Sequence, residues 1–249
     1  NAGAPKAKSK SSAAASKKKM AQQLEGLDVA EKIVDELLSS GVATLSGQSA
    51  KKFVDVANDL GTYYIPGLQA AFMQIANYID RMKHSDEETI NLLYQQTIEK
   101  ILCINTIIQK GRDYLQSNIE MDNISEDNGY LFEALGGIWK FDSLIGINSF
   151  EKDVQLIQLG MYTEWDNVKQ ESRDISYYIE LKTGELYCSV NIRPYSSNLP
   201  QEDSNFEKTS ASVMVKYPGI GCRRIRWEQP RTSPVTADDC ARILSVADP

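Results

Sequence analysis

The side chains that could carry out catalysis or bind a metal are few in this sequence and lie far apart. His84 is the only histidine among 249 residues, and it stands between Lys83 and Ser85 at a predicted helix junction. A basic residue near a helix C-terminus is favoured there by the helix dipole, so we interpret His84 as an exposed loop residue. The sequence therefore predicts no nucleophile activated by histidine and no metal site built on it.

The four cysteines form no pair at the spacing of a zinc ligand set or a redox motif. Cys103, Cys188, Cys222 and Cys240 contain no CxC or CxxC arrangement. Cys188 is predicted on the buried face of a hairpin and Cys103 within an apolar helix, where a thiol behaves as a small hydrophobic group. We therefore expect no disulfide framework, and no catalytic, cofactor or metal site in this chain.

An arginine cluster beside a tryptophan is the most distinctive polar feature. The segment CRRIRW at 222–227 places Arg223, Arg224 and Arg226 next to Trp227. Arginine with an aromatic residue is typical of protein interfaces and nucleic-acid sites, so these four residues are candidate contact residues. The other interpretation, which we favour, is an exposed edge strand whose charges prevent pairing with another chain.

Positive charge is concentrated at the start of the chain. Residues 1–19 contain six lysines, of which Lys17, Lys18 and Lys19 are the last three, and no acidic residue. The net charge of the chain is −7, so residues 20–249 carry −13 once these lysines are set aside. Such an acidic body repels phosphate, which leaves the lysines and the arginine cluster as candidates for nucleic-acid contact. The small and polar side chains of residues 1–19 predict a flexible basic linker.

The elements that must position these residues begin with helices. Apolar residues recur at helical spacing from Met20 onward, and SDEE at 85–88 has the form of a capping box that starts a long helix. Four helices with short connections predict an antiparallel bundle over residues 20–150.

After residue 150 the apolar period changes to two. Residues 175–181 and 186–192 alternate apolar and polar side chains around a Thr-Gly turn, which predicts an antiparallel hairpin whose apolar face is buried. Segments 154–165 and 211–217 extend it to a small antiparallel sheet of three or four strands. The predicted fold class is therefore α+β.

This β-sheet subdomain is placed at residues 151–230. Residues 231–249 are a C-terminal tail, in which the capping-box sequence TADD predicts a short helix.

Two stretches resemble the region that follows the zinc finger in bacterial SWIM zinc-finger family proteins. The first is LEGLDVAEKIVDELLSSGVATL followed by FVDVANDLGTYYIPGLQAAFMQI; the second is VQLIQLGMYTEWDNVKQESRDISYYIELKTGELYCSVNI followed by VMVKYPGIGCRRI. The similarity rests on Gly26-Leu27, Leu37-Leu38, Gly41-Val42-Ala43, Ala57-Asn58-Asp59, Pro66-Gly67-Leu68, Tyr217-Pro218 and Arg223-Arg224-Ile225. It extends over roughly residues 20–227.

The resemblance implies a zinc-binding CxCx(n)CxH motif upstream of the lysine-rich segment, since this chain lacks all four ligands. Zinc is then expected only in that upstream module, and residues 1–19 are the end of a longer linker. SWIM modules contact DNA or proteins, and bacterial members are often encoded beside MoxR-type ATPases and von Willebrand A proteins. Those two classes are the partners that the resemblance implies, and no residue here inherits a catalytic or metal role from it.

Together these observations predict a non-enzymatic interaction region that contacts protein partners. Non-specific nucleic-acid binding through the lysines of residues 1–19 and the arginine cluster is the alternative. No apolar run approaches the roughly 18 residues needed to span a bilayer, and the start of the chain lacks the apolar core of a secretory signal. The expected location is therefore the cytoplasm, without a membrane partner.

Overall fold

A computed structural model describes residues 10–41, 45, 47–121, 129–219 and 221–247. The chain divides into two compact units, Asn1–Ile138 and Trp139–Pro249. The described part of the first unit is helical and the second contains the strands, so the predicted α+β class is confirmed. None of the helices in these described ranges is both long and apolar enough to cross a bilayer.

Five helices make up the described part of the first unit: α1 (Lys10–Ser40), α2 (Gly47–Thr62), α3 (Pro66–Met82), α4 (Glu87–Met121) and α5 (Gly129–Ala134). Helix α1 begins at Lys10 and not near Met20, so the second half of the predicted flexible linker is helical. Alanine and lysine are good helix formers, and a helix held by its packed part extends into such residues at little cost. Residues 1–9 lie outside the described residues.

One apolar core holds the helices of the first unit together. Leu27 of α1, Leu60 of α2, Phe72 of α3 and Ile104 of α4 are almost completely buried in it. The helical spacing of these side chains places them on the facing stripes of their helices, so burial of these stripes stabilises the unit.

Close backbone packing joins α3 to α5. Pro66 occupies the first turn of α3, where its missing N–H removes no helical hydrogen bond. A Cβ atom on the next residue, Gly67, would stand 1.8 Å from the carbonyl oxygen of Ala134. Glycine is therefore required at this contact for steric reasons.

Two helices and six strands form the second unit: α6 (Phe141–Gly146), β1 (Phe150–Asp166), β2 (Glu171–Glu180), β3 (Leu186–Pro194), β4 (Lys208–Lys216), β5 (Arg223–Trp227), β6 (Arg231–Ser233) and α7 (Ala237–Ala247). The strand order is β1-β2-β3-β5-β4-β6, and β1 also pairs with β4, so five strands close into a ring. The unit starts before the expected boundary at residue 150 because α6 packs on β4.

The sheet is mixed, so the prediction of a purely antiparallel sheet with three or four strands was wrong. Strand β5 runs parallel to β3 and antiparallel to β4. Strand β4 follows β3 in the chain but is not its neighbour in the ring. Strand β5 comes next in the chain and lies between β3 and β4.

The long strand β1 allows the sheet to close. From Phe150 to Ile157 it pairs with β4, and from Leu156 to Asp166 it pairs with β2. Asp153 has a left-handed φ of 52°, and the pairing with β2 shifts register between Gln158 and Gly160. Such irregularities bend a strand and increase its twist, which lets one strand serve both sides of the closure.

The hairpin of β2 and β3 forms where the sequence predicts it, but its opposite face is the buried one. Tyr178 and Tyr187 point into the closed sheet, and Tyr177 and Cys188 therefore point outward. The interior of a five-stranded closed sheet is narrow, and the two tyrosines with their apolar neighbours occupy it together with the completely buried Asp174 and Ser176 on the same side of β2. The apolar set that the sequence assigns to the core consequently lies on the outside.

Helix α7 covers one part of that outer surface and confirms the predicted C-terminal helix. The packed side chains are Ile157, Ile179 and Leu181 of the sheet region and Val235, Ile243 and Val246 of the tail. The predicted capping box is present: Thr236 N donates to Asp239 Oδ2 at 2.9 Å, and Asp239 N donates to Thr236 Oγ1 at 3.2 Å.

Candidate protein-interaction face

An exposed aromatic and apolar surface crosses the outer side of β1, β2 and β3. We name it the tyrosine face and define it by Tyr162, Ile175, Tyr177, Val190 and Ile192. The strand register places Tyr162, Ile175 and Val190 in one row. The rings of Tyr162 and Tyr177 stack with their centroids 6.3 Å apart and an interplanar angle of 24°. The face is thus one continuous patch across three strands.

The tyrosine face is open to solvent. The exposed fraction is 47% for Tyr162, 39% for Tyr177 and 43% for Ile192. Helix α7 packs on the neighbouring row at Ile157 and Ile179 and leaves these side chains uncovered. Contiguous exposed apolar patches mark binding surfaces, whereas single exposed apolar residues are ordinary.

One corner of the tyrosine face is acidic. Arg173 lies in the row next to Tyr162 and has three carboxylates around it. Its guanidinium nitrogens stand 2.8 Å from Glu171, 3.0 Å from Asp166 and 3.6 Å from Glu164. Three negative charges around one positive charge give this corner a net negative charge.

Two arginines lie on the outer side of β5, which follows β3 around the closed ring and pairs with β4. Arg224 is in register with Cys188, and its guanidinium carbon lies 3.7 Å from the centroid of the Tyr217 ring. Arg226, two residues on, projects from the same side of β5 and is exposed. Its guanidinium group makes no ion pair or hydrogen bond with the part of the chain that the structure describes. Strand β5 therefore carries positive charge on a part of the ring that faces away from β1 and β2.

A buried ion pair fixes the sheet behind the acidic corner. Asp174 is completely buried and accepts hydrogen bonds from Arg193 Nε at 2.7 Å and Arg193 Nη2 at 2.8 Å. It also accepts one from the backbone N–H of Glu202 at 3.1 Å, which ties the loop of residues 195–207 to the sheet. The Arg193 guanidinium and the other donors hold the pKa of the Asp174 carboxyl well below its usual range, against the opposing effect of burial.

Cys188 borders the tyrosine face beside Tyr177. Its Sγ atom lies 3.7 Å from the carbonyl oxygen of Cys222, and burial raises the pKa of the thiol to about 11. The thiolate is the reactive form of cysteine, so the protonated Cys188 is a poor nucleophile at neutral pH.

The predicted contact residues on β5 are divided between its two sides. Arg224 and Arg226 face outward, whereas Trp227 packs with the interior and meets Tyr178 edge-on at a centroid distance of 5.1 Å. Arg223 shares the inward side by strand alternation. The edge-strand interpretation was wrong, because β5 lies between β3 and β4. Contact with a partner through these four residues stays a prediction.

The three lysines predicted as contacts lie on α1, in the first unit. Lys18 and Lys19 are exposed and Lys17 is half-buried. The Nζ atom of Lys19 stands 5.9 Å from the centroid of the Tyr64 ring. These lysines occupy positions on a helix and not on an irregular linker.

Sequence reasoning missed the tyrosine face because alternation identifies two faces but not which of them is buried. The adjacent pair Tyr177 and Tyr178 was the available signal, since it puts a large aromatic side chain on each side of β2. In a strand with one buried apolar side and one polar side, only one of two consecutive residues is expected to be a large aromatic.

A groove separate from the tyrosine face lies between α6, the paired parts of β1 and β4, and the turn from β5 to β6. It is an open groove of about 860 Å³ whose lining includes Phe141, Asp153, Gln155, Glu228 and Arg231. None of the residues that define the tyrosine face lines it. Within the described ranges, no three His, Cys, Asp or Glu side chains are grouped so that they could hold a metal ion.

No protein-family model, curated protein or solved structure matches this chain.

Proposed function

We propose that this chain is a non-enzymatic protein-interaction region of a cytoplasmic protein, and that the tyrosine face is the surface that contacts the partner. The observation that carries this proposal is the outward orientation of the apolar side of the β2–β3 hairpin. Leaving Tyr162, Tyr177 and Ile192 in water forgoes the stabilisation that burial gives such side chains, about 1.5–3 kcal/mol for a full-sized apolar residue. A partner that covers the face would recover that free energy.

The composition of the tyrosine face also suits a protein partner. Tyrosine is enriched at the centres of protein interfaces, where a large ring is buried at low cost in side-chain entropy. The stacked pair of Tyr162 and Tyr177 is already ordered by its own contact. We therefore place the largest contributions to binding at these two rings, with the acidic corner as part of the rim.

Site-specific photo-crosslinking tests this proposal with the full chain. A benzophenone amino acid replaces Tyr177 in one version and exposed Lys152, on the β4-paired part of β1, in the control. We expect a discrete crosslinked polypeptide at position 177 that the control does not give. The resemblance to SWIM proteins makes a MoxR-type ATPase and a von Willebrand A protein the first two purified candidates.

Reconstitution with the crosslinked protein then decides the outcome. We expect Tyr177→Ala to raise its Kd about 10- to 100-fold, as for a central interface aromatic, with Lys152→Ala as the neutral control. Equal crosslinking at both positions, or equal affinity of the two variants, would reject the tyrosine face as the interface.

Single-stranded nucleic acid is the second candidate for the tyrosine face. It is favoured by the closed five-stranded order, which OB folds share and use to bind oligonucleotides, and by the stacked tyrosines, since bases stack on exposed aromatic rings. The cations nearest to the face weigh against it, because Arg173 and Arg193 are already bound to carboxylates. Phosphates would have to compete with these carboxylates.

A salt titration separates this candidate from the first. Binding of a single-stranded oligonucleotide is followed by fluorescence anisotropy, with the intact chain and with its six N-terminal lysines replaced by alanine. If all six contacted duplex phosphates, log K would fall against log salt with a slope of about −5, and somewhat less for a single strand. Absence of binding would exclude nucleic acid as the ligand. Binding that does not depend on salt, and that the double substitution Arg223→Glu and Arg224→Glu leaves unchanged, would exclude it as well.

A further inference from the structure

We propose that the partner binds by strand addition: an extended segment of the partner, carrying a basic side chain, pairs with the free edge of β1 beside the tyrosine face. This inference rests on the proposed function, because it assumes that the face is an interface, and it adds the kind of segment that the interface takes. It is supported by unpaired backbone groups along β1, by the side chains next to them and by their charge.

The part of β1 from Met161 to Asp166 has a neighbouring strand on one side only. The pairing of β1 with β4 ends at Ile157, whereas its pairing with β2 continues to Asp166. No backbone hydrogen bond joins residues 161–166 to any described residue outside β2. This stretch is therefore a free sheet edge, and such an edge can pair with a strand from another chain.

The hydrogen bonds at the two ends of the β2–β3 hairpin show how its ladder alternates. Glu180 N donates to the Glu185 carbonyl oxygen at 3.0 Å, and Tyr195 N donates to the Gln170 carbonyl oxygen at 2.8 Å. Bonded pairs alternate along an antiparallel ladder, so the even-numbered residues of β2 bond to β3. The odd-numbered residues of β2 therefore bond to β1.

The same alternation fixes which backbone groups of β1 face the free edge. Within residues 161–166, the positions opposite the odd-numbered residues of β2 are Tyr162, Glu164 and Asp166, so these three bond to β2. The residues between them turn their N–H and C=O groups away from β2. These residues are Met161, Thr163 and Trp165.

The other free edge of this part of the sheet, on β3, is protected. By the same alternation, Val190, Ile192 and Pro194 face outward there. Proline has no N–H to donate, and it is one of the residues that keep sheet edges from pairing. Strand β1 contains no proline, so its edge is the one open to strand addition.

The side chains along the edge of β1 suit a segment with apolar and basic residues. On the outer side, Gly160, Tyr162 and Glu164 follow one another at alternate positions. A Cβ atom at Gly160 would meet nothing within 4 Å, which leaves room for a large side chain of the added strand beside the exposed ring of Tyr162. Glu164, at 3.6 Å, is the carboxylate of the acidic corner that lies farthest from Arg173. A lysine or arginine of the added strand can pair with it.

A second copy of the chain suits this edge less well than a basic segment. Pairing of two β1 edges would bring two acidic corners close together, and like charges on neighbouring strands are destabilising. A basic segment instead compensates the negative charge of the corner. The charge of the edge therefore favours a different protein as the partner.

Hydrogen exchange of the full chain with two designed peptides tests the pairing. The first is Lys-Ser-Phe-Ser-Val-Ser-Phe-Ser-Lys, which reads the same in both directions, so either strand direction brings a lysine near Glu164. In the second peptide, glutamate replaces both lysines. We expect the lysine peptide at saturation to slow amide exchange at Met161, Thr163 and Trp165 at least about 10-fold, as followed by NMR. Val190 and Ile192 face the other edge and should exchange at an unchanged rate.

Charge reversal gives a second measurement, by fluorescence anisotropy of the labelled peptides. We expect Glu164→Lys to weaken binding of the lysine peptide about 5-fold and to strengthen binding of the glutamate peptide by a similar factor. Glu228→Lys makes the same charge change beside the groove and is the matched control, which should change neither affinity. A thermal melt of each variant confirms that the chain is folded.

The other outcomes overturn this inference. Strand addition is rejected if the lysine peptide does not bind, if it protects Val190 and Ile192 instead, or if it protects no edge amide. Equal affinity of the two peptides rejects the basic side chain that the proposal requires. The proposed function is judged separately, by the crosslinking at position 177. A partner that crosslinks there and depends on Tyr177, but leaves the edge amides unprotected, would overturn strand addition alone.

Discussion

Asp174 of β2 and Arg193 of β3 lie diagonally across neighbouring strands, and both Nε and Nη2 of the guanidinium donate to the Asp174 carboxylate, at 2.7 Å and 2.8 Å. Removing one partner of a buried pair leaves the other charge uncompensated. We expect Asp174→Asn to lower the free energy of unfolding by about 3 kcal/mol at pH 7, measured by denaturant titration. Asp203→Asn, in the exposed part of the adjoining loop, is the control and should change little.

The same ion pair predicts how stability depends on pH. The pKa of Asp174 is held below its usual range, so its contribution is fully present above the unfolded value of about 3.9 and is lost as the pH falls further. We expect the unaltered chain to lose stability below about pH 4 and Asp174→Asn to lose less over that interval. Parallel pH profiles for the two proteins would contradict this assignment.

Trp227 tests the division of β5 into an inner and an outer side. Its ring packs with Tyr178 in the interior, so Trp227→Ala should cost about 3 kcal/mol of unfolding free energy. Trp227→Phe fills most of the space and should cost clearly less. If Trp227→Ala instead left thermal unfolding unchanged and weakened partner binding, Trp227 would be a contact residue after all.

Gly67 tests the close approach of α3 and α5. A methyl group there would overlap the carbonyl oxygen of Ala134, so helices would have to move apart. We expect Gly67→Ala to destabilise the chain by about 3 kcal/mol, seen as a lower denaturation midpoint by circular dichroism. Gly146→Ala is the matched control, because no atom lies within 4 Å of the added methyl group. Equal midpoints for both variants would argue against this packing.

Thiol reactivity reports on the edge of the tyrosine face. Because burial raises the pKa of Cys188 to about 11, only about one molecule in a thousand carries its thiolate at pH 8. We expect iodoacetamide to modify Cys188 about 100-fold more slowly than the exposed Cys103, as followed by mass spectrometry of peptides. Comparable rates for the two cysteines would show that Cys188 is accessible and ionised.

The helices and the hairpin could be predicted because their signals are local. A helical apolar period located α4, and alternation with a Thr-Gly turn located β2 and β3. The cap of α4 differs from the predicted capping box, because Ser85 Oγ donates to the carbonyl oxygen of Arg81 and Thr89 N donates to Asp86 Oδ1. The start of α1 could not be found in the same way. Alanine and lysine next to a packed helix have no apolar stripe, and only their propensity favours helix there.

The candidate site could not be predicted because its exposure depends on closure of the sheet. Alternation separates Tyr177 from Tyr178 but does not say which of the two sides closes on itself. That choice depends on the pairing of β1 with β4 and of β3 with β5, and these contacts join distant parts of the chain. Arg226 and Trp227 were separated for the same reason, since β5 acquires an inside only when the ring is complete.

The double pairing of β1 also bears on the order in which the second unit folds. The turn between β2 and β3 is short, so this hairpin can form from neighbouring residues, whereas Phe150 of β1 must find Val215 of β4 far along the chain. Pairing between distant residues is slow, because the entropy of closing the long loop is lost before the stabilising contacts form. Kinetic measurements on mutants should give high φ-values in the hairpin and low ones in β4. The β2–β3 hairpin would then expose its tyrosines to solvent before the sheet closes. The surface proposed to bind a partner would therefore form earlier in folding than the interior core of the unit.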